Sequence, residues 1–143
     1  MIDKLTARLG ALGFFVDFLF ERQKEDWVDC TLTLNYADVL NVASVVSVPE
    51  YLSARDIRRL ADFITTQSQS DCEHRDTFVT LNLGFEVSID DPDEWDAHIQ
   101  VLLNVGMVDG NRVFSGSSGQ IEIAELQKFS NTLRGIADQI EAD

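Results

Sequence analysis

The chain has 143 residues, with 25 Asp and Glu against 11 Lys and Arg, for a formal net charge of −14. That charge repels nucleic acid and anionic membrane and favours basic partners, although it also serves plain solubility. A hydrophobic fraction of 45% argues against disorder, and no apolar run reaches the ~18 residues that cross a bilayer.

A chain of this length buries roughly two thirds of the surface its unfolded form exposes, so one domain over 1–143 with its own core is expected without staples. The N-terminal MIDKLTARLG lacks the apolar core of a signal peptide, which makes a cytoplasmic location the default expectation. Cys30 and Cys72 are too few and too far apart for a disulfide framework. Cys30 lies in an apolar alternation and reads as a small core residue, whereas Cys72 lies in a polar stretch and reads as exposed.

Taken in order, residues 4–9 alternate with Leu5, Ala7 and Leu9 on one side, and Gly10 and Gly13 break the run, which predicts a short strand and a turn. Residues 14–20 form an aromatic strand with Phe14, Val16, Phe18 and Phe20 on one face. Its partner is expected at 27–36, where Cys30, Leu32 and Leu34 alternate with Asp29, Thr31 and Thr33 in the pattern of a half-buried hairpin. Residues 39–48 are rich in β-branched side chains and predict a third strand that Pro49 ends.

A helix follows from Ser53 to about Thr66. Ser53 can cap it, Asp56 is placed as the return half of a capping box, Leu52 and Ile57 can staple across its start, and Ile57, Leu60, Ala61 and Ile64 share a face. Residues 67–76 read as a loop. Then the order begins again, with a strand at 77–89, a polar turn around Pro92, a strand at 97–105, a hairpin signal at Asp109-Gly110, and a short strand from Val113 and Phe114 that ends in the glycine and serine turn of 115–119. The closing helix repeats the staple as Ile121 and Leu126 and carries Phe129, Leu133, Ile136, Ala137 and Ile140 on one stripe.

The two parts align at one offset of 69 residues, the difference between Leu126 and Ile57. At that shift Val16 meets Phe85, Phe18 meets Val87, Leu32 meets Val101 and Leu60 meets Phe129. Keeping strand faces and helix stripe in phase predicts an α+β fold of two duplicated βββα units, with halves 1–69 and 70–143. The expected arrangement is one antiparallel sheet of about six to seven strands with both helices on one face, two separate smaller sheets being the alternative.

The residues offer little for chemistry. Cys72, Glu73 and His74 lack the second ligand pair of a tetrahedral metal site, and His98, the other histidine, alternates outward. Asp90, Asp91, Asp93, Glu94 and Asp96 miss the glycine and the terminal acid of a calcium loop and read better as a turn whose Asp side chains bond their own amides. Gly116 to Gly119 has no following lysine and so is no phosphate loop, and no Ser, His and acid grouping can be assembled. The expectation is therefore no enzyme, no cofactor and no metal. Trp27 and Trp95 both stand beside acidic turns, and a rim of Asp26, Asp29, Asp93, Glu94 and Asp96 can present them to a basic partner; the plainer reading is that each covers the end of a core.

The run DWVDCTLTL at 26–34, the SARDIRRLADFI helix, the strand DTFVTLNLGFEVSI at 76–89 and the closing amphipathic helix together resemble the WapI family, named for the immunity protein paired with a wall-associated toxin. The resemblance lies in element order, length and spacing across nearly the whole chain. It implies a small cytoplasmic α+β protein without catalysis that neutralises a toxin, such as a nuclease, by binding it, and it carries over no binding residue. A structural or regulatory domain that self-associates is the second expectation, so that the chain would be a monomer or a homodimer. A small-ligand binder with a pocket between helices and sheet is the third.

Overall fold

The computed structural model describes residues 4–24, 27–37 and 44–142. The described chain runs β1 (Lys4–Gly10), β2 (Phe14–Lys24), β3 (Trp27–Tyr36), β4 (Val45–Val46), β5 (Glu50–Ser53), α1 (Ala54–Gln67), β6 (Thr77–Val79), β7 (Phe85–Asp90), β8 (Asp96–Val108), β9 (Asn111–Glu122) and α2 (Ile123–Ala142). The fold is α+β, with all ladders antiparallel. Strands β1-β2-β3-β4 form one sheet, with β5 also on β3, and β6-β7-β8-β9 form a second.

The expected single sheet of six to seven strands is thus corrected to sheets of five and four strands. Two local features of the second sheet also differ from the expectation. Residues 77–89 are not one strand, because the chain reverses over 80–84 with Leu83 at φ 54° and separates β6 from β7. The 115–119 run is no turn but the middle of β9, where Gly116 pairs with Leu102 and Gly119 with Ile99. Each sheet is built from chain neighbours, for which loop closure costs least. Single backbone bonds, Leu12 to Gln120 and Val48 to Asn104, both 2.8 Å, join the two sheets.

Other expectations hold in detail. Ser53 Oγ accepts from Asp56 N at 3.2 Å while Asp56 Oδ2 accepts from Ser53 N at 2.9 Å, completing the capping box at the start of α1. Asp109 (φ 53°) and Gly110 (φ 80°) make the two-residue turn between β8 and β9. The third strand expected at 39–48 is described only from residue 44 onward; it survives as β4 and resumes beyond Pro49 as β5. Cys72 is half-buried, and its thiol donates to His74 O at 3.3 Å, which corrects its placement as an exposed side chain.

Pairing registers recur at the offset of 69. Phe18 faces Leu32 and Val87 faces Val101; Val28 faces Leu52 and Ala97 faces Ile121; α1 begins at Ala54 and α2 at Ile123. The helices meet where Ser130 Oγ donates to Ala61 O at 3.0 Å, again two positions 69 apart, and small side chains at such a crossing let two helices approach closely. Beneath them the inner faces of both sheets share one core, centred on Phe18, whose ring lies 5.5 Å from that of Phe85 and 5.0 Å from that of Phe129.

A polar clamp crosses this core. Glu50 is 1% exposed, and its carboxyl oxygens accept from Thr80 Oγ1 at 2.6 Å, Asn82 Nδ2 at 3.0 Å and Gly84 N at 2.9 Å. A Cβ on Gly84 would stand 2.8 Å from Glu50 Cβ, so only glycine admits the side chain there. Replacing Glu50 by Leu strands the donors Thr80 Oγ1 and Asn82 Nδ2, Gly84 N keeping a bond to Thr80 Oγ1 at 2.8 Å, and urea unfolding is expected to report a loss of about 3 kcal/mol. Gly116→Ala drives a methyl group into the Val101 carbonyl oxygen in the adjacent strand, and the same measurement should give a loss of about 2 kcal/mol or more.

Candidate binding groove

The alternation of β3 and β5 buries Val28 and Leu52 and turns Trp27 and Tyr51 outward, where they remain 50% and 58% exposed. Asp29 lies directly opposite Tyr51, and Trp27 opposite Ser53, so the two aromatic side chains are neighbours on one sheet face. Leu81, at the tip of the turn that Glu50 clamps, is 95% exposed. From α1, Arg55 and Arg59 lie one turn apart and off the buried stripe of Ile57, Leu60, Ala61 and Ile64.

Together these residues line an open groove of about 720 Å³ between the start of α1, β5 and the 80–84 turn. A second depression of about 410 Å³ continues from it between α1 and β6, the two sharing Arg59, Phe78 and Val79. Isolated exposed apolar residues are ordinary on a protein surface; several gathered in one concave site mark an interaction surface.

The residues expected to form one acidic rim fall into two places. Trp27 lines the groove and Asp29 stands next to it on β3, while Asp26 lies outside the described residues. Asp93 and Asp96 instead line a shallow depression with Asp91 and His98 beside the start of β8. There Asp93 Oδ1 accepts from the amides of Trp95 at 2.7 Å and Asp96 at 2.8 Å, and these bonds hold its carboxyl below the usual carboxylate range. Trp95 accepts the first amide of α2, from Ile123 at 2.8 Å, through its carbonyl, while its side chain is 73% exposed and Glu94 is exposed beside it.

Asp29 is the strained member. It faces Glu21 across the β2–β3 ladder, and its Oδ1 is buried without a hydrogen-bond partner. Desolvation first, and the Glu21 charge second, raise its carboxyl above the ordinary value. Cys30, opposite Glu50, is fully buried, and burial, then Glu50 and Asp29, push its thiol well up, so it stays protonated and unreactive at neutral pH.

Among the described residues no group of three or more His, Cys, Asp or Glu could hold a metal ion. His74 Nε2 lies 3.1 Å from Asp76 Oδ1 and does not converge with Cys72 and Glu73 on a common centre. Among the same residues, no helix is long and apolar enough to cross a membrane.

Sequence reasoning reached Trp27 and the acids but missed Tyr51, Leu81, Arg55 and Arg59 as parts of one site. Tyr51 could have been found from its place opposite Leu52 in a strand alternation. Leu81 carries no such signal, because it sits in what reads as a continuous strand. No protein-family model matches this chain, and no curated protein matches it either.

A carboxyl whose folded pKa lies above its unfolded one favours the folded state below the unfolded pKa, and that contribution is lost as pH rises through the folded value. Asp29→Asn removes the burden carried at neutral pH. It should stabilise the protein by about 0.5 kcal/mol near pH 7, the scale of a like-charged cross-strand pair, and the gain should vanish as pH falls toward about 4 in thermal melts across that window.

Proposed function

We propose that the chain is a non-enzymatic binding protein of the immunity or antitoxin type, which neutralises a basic toxin domain such as a nuclease by protein–protein contact in the cytoplasm. The observation that carries this reading is the gathering of Trp27, Tyr51 and Leu81, 50%, 58% and 95% exposed, on one groove. Large aromatic and aliphatic side chains held in place by a rigid scaffold are the usual anchors of protein interfaces. The charge of −14 supplies long-range attraction to a basic partner and speeds encounter, while the groove supplies contact. In the same reading the scaffold is a duplicated unit, residues 1–69 and 70–143, a proposal supported by the equal registers of β2–β3 with β7–β8 and of β3–β5 with β8–β9.

The second reading, self-association, draws on the outer edge of β6, which among the described residues pairs with β7 alone, and on Leu81 beside it. Light scattering across a concentration series separates the two, since a monomer at every concentration removes it.

The test of the first reading is capture by the purified chain of the products of adjacent genes, followed by titration with salt. A basic partner is expected, whose affinity falls at least about tenfold between about 0.05 M and 0.5 M salt. Trp27→Ala should weaken it by about 2 kcal/mol, the scale of an interface anchor. Finding no partner, or one indifferent to both salt and Trp27, overturns the reading.

A further inference from the structure

We infer that the trough along β6 receives an extended, acid-bearing segment of a partner protein, its apolar side chains on Trp27, Tyr51 and Leu81 and a carboxylate on Arg55 and Arg59. This rests on the reading that the chain is a binding protein, and it names what one of its surfaces recognises.

Three observations meet here. The first is local charge. In a chain of −14, most arginines are engaged elsewhere: Arg8 is bidentate on Asp17 at 2.7 and 3.0 Å, Arg58 holds Asp138 and Glu141, Arg134 holds Asp62 at 3.1 Å, and Arg75 donates to the carbonyls of Gln67, Cys72 and Ile89. Arg55 is exposed and makes no side-chain hydrogen bond or ion pair among the described residues, and Arg59 reaches only Asp56, at 3.7 Å.

The second is that the acids on the trough walls are occupied. Asp56 accepts from Ser53 N and Oγ at 2.9 and 3.0 Å, Asp62 is held by Arg134, and Asp76 Oδ1 lies 3.1 Å from His74 Nε2. The groups on the trough walls with hydrogen-bonding capacity to spare are therefore the guanidinium donors of Arg55 and Arg59, on a chain whose net charge is −14. A guanidinium fork is suited to a carboxylate, and two of them one helical turn apart can clamp one.

The third is the strand edge. Among the described residues β6 pairs with β7 on one side only, so its outer main-chain groups are open to a further strand, and both depressions run along it. An extended segment laid there takes backbone hydrogen bonds from the edge and specificity from alternate side chains. The net charge discourages a highly acidic partner as a whole, so the segment is a short acidic stretch within a protein that is neutral or basic overall.

The test presents the full chain to a random peptide display library. Enriched peptides are expected to combine Asp or Glu with Leu, Phe or Trp, and a synthetic copy with its acids changed to Lys should bind at least about tenfold more weakly. Arg55→Glu with Arg59→Glu should lose binding by a similar factor, and the milder pair Arg55→Gln with Arg59→Gln should lose part of it, both melting as the parent does. In a Trp95→Phe background Trp27 is the sole tryptophan, and its emission should shift as peptide is added. No enrichment, enrichment of basic peptides, or undiminished binding by the double Glu variant overturns the inference. If that variant still captures a basic partner in the salt-dependent assay, the trough assignment fails while the binding-protein reading stands.

Discussion

A buried carboxyl group has to be answered by donors, and Glu50 shapes the molecule because its donors come from the opposite half of the chain. Thr80, Asn82 and the amide of Gly84 all turn toward it. To do so the chain must reverse between β6 and β7, with Leu83 in a left-handed conformation and no side chain at position 84. That reversal cuts β6 to three residues, where β1 has seven, and sets Leu81 out into solvent. The groove, the open strand edge and the join between the halves thus share one cause.

The corresponding join elsewhere in the molecule is made differently. Position 119, which the offset of 69 pairs with Glu50, is a glycine, and the tip of the β1–β2 hairpin comes close enough for Leu12 N to bond Gln120 O directly. A backbone contact there replaces the side-chain clamp here. The two halves keep the same strand order and nearly the same registers yet differ in what they leave exposed. One closes its hairpin against β9, and the other leaves a trough beside β6.

Electrostatics acts on two length scales. Far from the surface the excess of acids dominates, with a reach of roughly 10 Å at moderate salt. Close in, individual side chains matter more, as along α1, where Arg55 has no side-chain partner among the described residues and Arg59 reaches only Asp56 at 3.7 Å. Asp29 sits where these regimes meet, beside Tyr51 and facing Glu21, its carboxyl held above its ordinary value by burial and by like charge.

The sequence alone determined those features that depend on neighbours in the chain. The capping box of Ser53 and Asp56, the Asp109-Gly110 turn, the inward faces of β2, β3, β7 and β8, and the stripe of each helix follow from side-chain periodicity and short-range hydrogen bonding, which few residues suffice to specify. The tertiary structure alone decided the split into two sheets, the turn at 80–84, the continuation of β9 through its glycines and serines, and the separation of Trp27 from Asp93, Trp95 and Asp96. Each of these turns on contacts between residues well separated in the chain: Glu50 with Gly84, Gly116 with Leu102, Trp27 with Ser53. Such contacts leave no periodic trace, because what selects them is the need of a buried polar group or a crowded backbone for a partner that the fold brings near.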